Sequence, residues 1–498
     1  MLPVLTAPSA RYRALRELLT VHAFTSAGVT TRLEVPDVFA IRLGERRVPG
    51  PDQPDALDLL IRLFIEGGET SADQLAELLG AESPAVLRTL GLVHGDATLR
   101  STVLLYPVDD LWLASDRADG QARQADAVYP ALTASVRVFL AAMPEVTGRR
   151  VLELCAGTGV AALLAARRGA RDVVAVDITA RATHFAAFNA LLNDLPLSAR
   201  QGDLYAPVAG EQFDVILAHP PYVPSLHTRA IYRDGGADGE QITRAVIAGA
   251  PAHLAGEGLL LCTSSLTDRR SGSALDRVHG ELGDEAARSD LLLLHVADLV
   301  PDSAFVSQLL RAVPEELPDV VESWRAYRGL DVTTLRLFTT VLRRHAGTRP
   351  SVLAGVSCDP GTAWPVVAWL LASHQLPRVM AEQPARWIGA RPRLNRSARF
   401  QQRYAFFPEG DEPFLPESGL LSISTPIRME LAMSGNDAAL LGALDGSRAL
   451  EAIWCEYREA GAIPAEVTVE GFVASLLPLL TTGVLETDLL PLPAMSPT

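Results

Sequence analysis

The chain has 498 residues, 48% of them hydrophobic, and carries a formal net charge of −15. That is length for about three domains and ample apolar material for packed cores, while the acid excess argues against a diffuse nucleic-acid-binding surface. The four cysteines, Cys155, Cys262, Cys358 and Cys455, stand far apart without a Cys-x-x-Cys pair, so neither a disulfide framework nor a metal site is indicated.

In chain order, residues 12–24 are amphipathic, and residues 55–66 place Leu57, Leu60, Ile61 and Phe64 on one helical face before Gly67 and Gly68 break it. Thr70, with Asp73 at the reciprocal position, is expected to cap a helix that runs to Leu79 and stops at Gly80. Ser83 and Pro84 read as the cap and first position of another helix, to about Leu90. Residues 93–106 read as a hairpin turning near Gly95 and Asp96. Three helices and a hairpin suggest a winged-helix-like domain over residues 1–117. Its third helix offers only Arg88 to DNA, fewer contacts than a recognition helix presents, so packing or substrate positioning is the expected role.

Residues 118–149 are polar and then helical, with Val136, Phe139 and Leu140 as an apolar face. Asp126, Val128 and Tyr129 either cover a ligand or belong to a linker. Strands are predicted at 150–154, 172–176, 198–201, 213–217, 258–263, 291–295 and 334–343, the last one antiparallel. A helix over 180–193 carries Asn189 and Asn193 as surface or packing residues. A boundary near Gly347 opens a carboxy-terminal α+β domain, residues 347–498. There, residues 378–403 hold seven arginines, 378, 386, 391, 393, 396, 399 and 403, with Glu382 as the only acid. This stretch could meet phosphates, RNA or an acidic peptide, or pair with the acids at 409–417. Helices at 437–444, 447–460 and 468–480 and a strand at 484–490 follow. No apolar run approaches the roughly 20 residues of a membrane helix, and no signal peptide is apparent, which points to a cytoplasmic chain without membrane contact.

The organising stretch is 149–159. Val151, Leu152 and Leu154 read as a buried strand, Gly157 and Gly159 turn the chain into an apolar helix from Val160, and a second strand ends in Asp177, 20 positions after Gly157. Glycines let a backbone approach a nucleoside closely, and a carboxylate at the end of the next strand can accept from two ribose hydroxyls.

Glu153-Leu154-Cys155-Ala156-Gly157-Thr158-Gly159 resembles the first motif of the class I S-adenosylmethionine (SAM)-dependent methyltransferases, and Val173-Val174-Ala175-Val176-Asp177 the second. Gln201-Gly202-Asp203 resembles the adenine-binding segment. His219-Pro220-Pro221-Tyr222 resembles the Asn-Pro-Pro-Tyr motif of the amino-methyltransferases, with histidine for asparagine. Residues 233–239, Arg-Asp-Gly-Gly-Ala-Asp-Gly, resemble a segment of the release-factor glutamine methyltransferases. The resemblance covers about residues 130–345. It implies an α/β fold, a Rossmann-like seven-stranded class I methyltransferase domain over 118–346, flanked by the winged-helix-like and α+β domains. It implies SAM as cofactor, held by Glu153, Cys155, Ala156, Gly157, Gly159, Asp177, Ile178, Gly202, Asp203, Leu204 and His219. Glu153 would face the methionine portion, Asp177 the ribose and Asp203 the adenine amine. His219, Pro220 and Tyr222 would be catalytic, with His219 either orienting a planar NH2 group or removing a proton.

The implied reaction is methyl transfer to a nitrogen of a protein, peptide or other large acceptor presented by the flanking domains. Rival readings are a tailoring N- or O-methyltransferase for a peptide or small natural product, and a non-catalytic SAM-binding regulatory protein. Nucleic acid is disfavoured as a partner by the net charge.

Overall fold

The computed structural model describes residues 4–43, 54–117, 124–300, 314–406, 414–433 and 440–493, together with 302, 305–306 and 309–310. The chain divides into two compact units, residues 1–353 and 354–498. The expected boundary at 117/118 adjoins residues 118–123, outside the described residues.

In the first unit, α1 (Ser9–Val21) and α2 (Ser26–Leu33) lead to α3 (Ala56–Leu60), which continues as a π-helical turn over Ile61–Ile65. Then come β1 (Glu69–Ser71), α4 (Ala72–Leu79), α5 (Ser83–Thr89), β2 (Val93–His94) and β3 (Thr98–Ser101), with strand order β1-β3-β2. Two expected caps are displaced. Ser71, not Thr70, caps α4 by accepting from the Gln74 N–H, because Thr70 is drawn into β1 opposite Leu99. Ser83 lies inside α5, and its hydroxyl donates to the Leu75 carbonyl at 3.0 Å, tying α5 to α4. The hairpin ends at Ser101, and a second one, β4 (Leu104–Val108) and β5 (Leu111–Ser115), follows it.

Parallel strands covered on both faces need continuous apolar runs, and the next segment supplies them. After α6 (Ala134–Ala141) the chain alternates through β6 (Arg150–Leu154), α7 (Val160–Arg167), β7 (Asp172–Asp177), α8 (Ala180–Asn193), β8 (Ser198–Gln201), β9 (Phe213–Ala218), α9 (Gln241–His253), β10 (Leu254–Arg269), α10 (Ala274–Glu281), β11 (Ser289–Leu299) and β12 (Val332–Arg344). These strands stand in the order β11-β12-β10-β9-β6-β7-β8. The run from β10 to β8 is parallel, and β12 is antiparallel to both its neighbours. All seven predicted strands are present, and Leu152, Val174, Ile216, Leu260 and Leu342 meet in one core. The strand order reverses direction at β6 and β9, where α/β sheets open a ligand crevice beyond the carboxyl ends of the strands.

Asn189 and Asn193 are buried, not surface residues. One turn apart on α8, they bind the backbone of β5 as a neighbouring strand would. Asn189 accepts from the Ala114 N–H at 2.8 Å and donates to the Ala114 carbonyl at 3.0 Å. Asn193 accepts from the Trp112 N–H at 2.9 Å and donates to the Trp112 carbonyl at 2.7 Å. A buried Arg181–Asp116 ion pair lies beside them, and Asp116 also accepts from the Val128 N–H at 2.8 Å.

In the second unit, helices Trp364–Ser373, Leu376–Glu382, Pro384–Ile388, Leu450–Glu459, Val469–Ser475 and Leu477–Thr481 accompany an antiparallel sheet of Arg399–Phe406, Phe414–Ile423 and Met429–Met433. The helix expected over 468–480 is split at Leu476, and residues 437–439 of another lie outside the described residues. Among the described residues, two of the seven arginines have acidic partners: Arg378 pairs with Glu382 at 2.9 Å, and Arg393 with Glu486. Of the expected partners at 409–417, residues 409–413 are outside the described residues. Among the described residues no helix is long and apolar enough to cross a membrane.

The asparagine ladder gives a stability prediction. Asn189→Ala strands the buried Ala114 N–H and carbonyl, so unfolding free energy in urea should fall by about 1–3 kcal/mol. Asn193→Ala should cost a similar amount through the Trp112 N–H and carbonyl.

Candidate active site

A cavity of about 680 Å³ opens at the carboxyl ends of β6, β7, β8 and β9. Of the eleven residues expected at a cofactor, ten line it: Glu153, Cys155, Ala156, Gly157, Asp177, Ile178, Gly202, Asp203, Leu204 and His219. Gly159 stands outside the lining. A Cβ there would meet that of Ala186 at 3.0 Å, so Gly159 allows the close approach of α7 to α8.

Two carboxylates brace the turn after β6. Asp177, at the end of β7, accepts from the Gly157 N–H and the Thr179 N–H, each at 3.0 Å. Burial pushes its pKa up, and those donors pull against the rise. Glu153, at the end of β6, accepts from the Ala161 and Ala162 N–H groups in the first turn of α7, at 3.3 and 2.8 Å. This is where a helix favours a negative charge. Burial nevertheless raises Glu153 to about 8, and a cationic ligand in the cavity would draw it back toward its ionised form.

The opposite wall is the turn after β9. Pro220, Pro221 and Tyr222 line the cavity with His219. The His219 Nε2 atom is buried and has no hydrogen-bond partner within the protein. Burial lowers the imidazole pKa to about 4, so the ring is neutral at ordinary pH. It lies 5.7 Å from the Phe139 ring, tilted by 33°, and 5.7 Å from the Tyr222 ring, edge-on at 85°. Burial raises the Tyr222 phenol, which hydrogen-bonds the Ser135 side chain.

Residues 233–239 dock onto this turn. Val223 bridges Asp234, and a Cβ at Gly235 would come within 2.7 Å of the Pro221 carbonyl oxygen and 2.8 Å of the Tyr222 Cα. Only glycine allows that backbone approach. Beneath the segment, the buried Glu240 accepts from Arg277 Nη2 at 2.8 Å and from the Thr267 N–H at 2.8 Å.

The lead-in covers the site, as Val128 and Tyr129 line the cavity, whereas Asp126 does not. Sequence reading missed Ser135 as a lining residue of α6, and missed Tyr232, whose ring stacks on Tyr129 at 4.9 Å at the cavity's edge. Tyr232 directly precedes the 233–239 motif, which was the signal available.

A glycine turn braced by two strand-end carboxylates, at the switch point of a sheet with an antiparallel β12, defines a nucleoside-binding transferase of the class I methyltransferase type. Residues 131–282 match the methyltransferase small domain family. The chain is 36% identical over 140 residues to a provisionally named protein N5-glutamine methyltransferase of Methanocaldococcus jannaschii, covering 27% of this chain and 71% of that protein. It is 36% identical over 126 residues to the ribosomal protein uL3 glutamine methyltransferase of Bradyrhizobium diazoefficiens, covering 23% of this chain and 40% of that one. It is 34% identical over 177 residues to a release factor glutamine methyltransferase of Xylella fastidiosa, covering 33% and 58%. A solved structure of a provisionally assigned SAM-dependent methyltransferase from Streptococcus mutans aligns at 14% identity and a TM-score of 0.30, over 55% of this chain and 66% of that one. The chain belongs to the class I SAM-dependent methyltransferases, in the group that includes the glutamine methyltransferases. It is an enzyme, and SAM is its cofactor.

The residues present fit that cofactor. Gly157 has φ of 53° and no atom within 4 Å of where a Cβ would stand, which leaves an open cradle beside the Asp177 carboxylate. Asp177→Ala should therefore weaken SAM binding by about 2–5 kcal/mol, the loss of charge-assisted hydrogen bonds together with the brace on Gly157. Calorimetry with SAM on the folded variant checks this, and wild-type affinity would rule out the assignment.

Proposed function

We propose that the enzyme methylates a nitrogen of a protein or peptide side chain, and that a planar amide of the glutamine type is the acceptor. The observation that carries this reading is the neutral His219 with its unpartnered Nε2 beside Pro220 and Tyr222. SAM supplies a methyl group on a positively charged sulfur. The chain's part is to hold the acceptor nitrogen in line with that methyl, and positioning of this kind is worth up to about 7–11 kcal/mol. The His219 imidazole and the Pro220 carbonyl would accept the two N–H hydrogens of the NH2 group, and Tyr222 would cover its plane. A nitrogen with a pKa of about 4 is a poor proton acceptor at neutral pH, which favours orientation over base catalysis. The names of the relatives support a polypeptide acceptor.

Asp177 at the ribose, Asp203 at the adenine amine and Glu153 toward the methionine portion complete the proposed binding set, within a cytoplasmic enzyme. We read residues 1–117 as a winged-helix-like module, supported by the element order from α3 to β3, residues 118–346 as the catalytic domain and residues 347–498 as an accessory α+β domain. The flanking parts would present the acceptor.

The test is incubation with methyl-labelled SAM and polypeptides containing glutamine, ribosomal protein uL3 and release factors first, followed by mapping of the label by mass spectrometry. Label on a side-chain amide nitrogen supports the reading. Label confined to small molecules or to hydroxyl oxygens refutes it.

The pH dependence tests whether His219 acts as a neutral ring, which either role requires, and substitution separates the two roles. As an orienting acceptor it must be neutral, so turnover should be flat above about pH 5.5 and fall as acid protonates the ring near its lowered pKa of about 4. His219→Asn should then keep turnover within about tenfold of wild type, whereas a base role would cost about 10²–10⁴-fold.

A further inference from the structure

We infer that Phe139 is a positioning residue for the reaction: its ring, tilted against His219 from α6, helps bury the Nε2 edge of the imidazole and so holds the ring neutral and in place at the cavity wall. The inference rests on the proposed acceptor-binding role of His219, but its geometry stands independently. Phe139 is almost fully buried, at 1% exposure, and lines the same cavity as His219. Its ring and that of Tyr222 both approach the imidazole, each at a centroid distance of 5.7 Å. Tyr222 is itself tied by a hydrogen bond to Ser135, one turn before Phe139 on α6. The helix is anchored at both a cap and a side: the Thr133 hydroxyl accepts from the Val136 N–H at 3.2 Å, and Arg137 pairs with Asp37 at 3.0 Å.

A buried ring nitrogen keeps its place without a hydrogen bond only if nothing charged or wet competes for it. At α6 the cavity wall carries the Thr133 and Ser135 hydroxyls, and on the histidine's own turn the Tyr222 phenol. The ionisable groups elsewhere in the cavity are Glu153 and Cys155 after β6, Asp177 after β7 and Asp203 after β8, with Tyr129, Tyr232, Arg233 and Asp234 along the lead-in and the docked segment. None of these hydrogen-bonds His219 Nε2. The direction in which the imidazole is perturbed agrees, since its lowered pKa is due first to burial. Removing the aromatic cover should admit water to Nε2 and stabilise the protonated ring.

The decisive experiment is an NMR titration of histidine-labelled protein, with the His219 signal assigned by its loss in His219→Gln. In Phe139→Ala the His219 midpoint should move up by at least about one pH unit, toward the ordinary histidine value. The acid limb of the turnover profile should move with it. Phe139→Leu keeps an apolar side chain in case the alanine variant fails to fold, and should show a smaller move in the same direction. A folded, SAM-binding variant of either kind with the His219 midpoint unchanged overturns the inference. The titration needs no acceptor. If it moves as expected while no polypeptide nitrogen is methylated, the proposed acceptor fails and the positioning of His219 by Phe139 stands.

Discussion

The catalytic unit depends on a backbone turn with carboxylates on two sides. After β6 the Ala156 N–H still reaches the Val176 carbonyl of β7 at 3.1 Å, but the N–H groups beyond it find no partners in the sheet, because the chain is leaving it, and those in the first turn of α7 lack intrahelical acceptors. Asp177 takes the Gly157 N–H and Glu153 takes those of Ala161 and Ala162. The same two side chains line the cavity. Local folding and the chemistry of the site therefore use one set of atoms, which explains why two buried acids persist where burial raises the pKa of each.

That turn and its strands were legible in the sequence for a physical reason. Strands β6, β7 and β9 are covered on both faces, so their apolar runs are uninterrupted, and the Gly157-to-Asp177 spacing follows from a helix returning the chain to the next parallel strand. The cavity residues at the ends of those strands could be read for the same reason. Contacts that close over large sequence distances were not legible. Asn189 and Asn193 could be read only as surface or packing residues because their partners, Ala114 and Trp112, lie 75 and 81 positions away. Residues 104–106 read as the tail of one hairpin, although they open a second one that Asp109, with a positive φ of 51°, turns back at once. Arg393, one of seven arginines in a row of mixed polarity, is paired with a glutamate 93 positions on.

His219 shows the difference most clearly. The sequence gives the residue type and its place after β9, and from these either a base or an acceptor follows. The ring of Phe139, on which our proposal turns, arrives from α6, 80 positions earlier, in a stretch with no motif. Sequence spacing locates the histidine; the side chains packed around it come from elsewhere in the chain.

The amide ladder between α8 and β5 also bears on how this enzyme can be altered. Its donors and acceptors are matched one to one across the seam, and Asp116 and Arg181 extend the match in charge. A gene shortened to begin at residue 130 would still encode every cavity strand, yet the product would carry two carboxamides and a guanidinium on a helix face shaped for a missing edge. The amino-terminal part is thus a wall of the catalytic unit and not a detachable appendage.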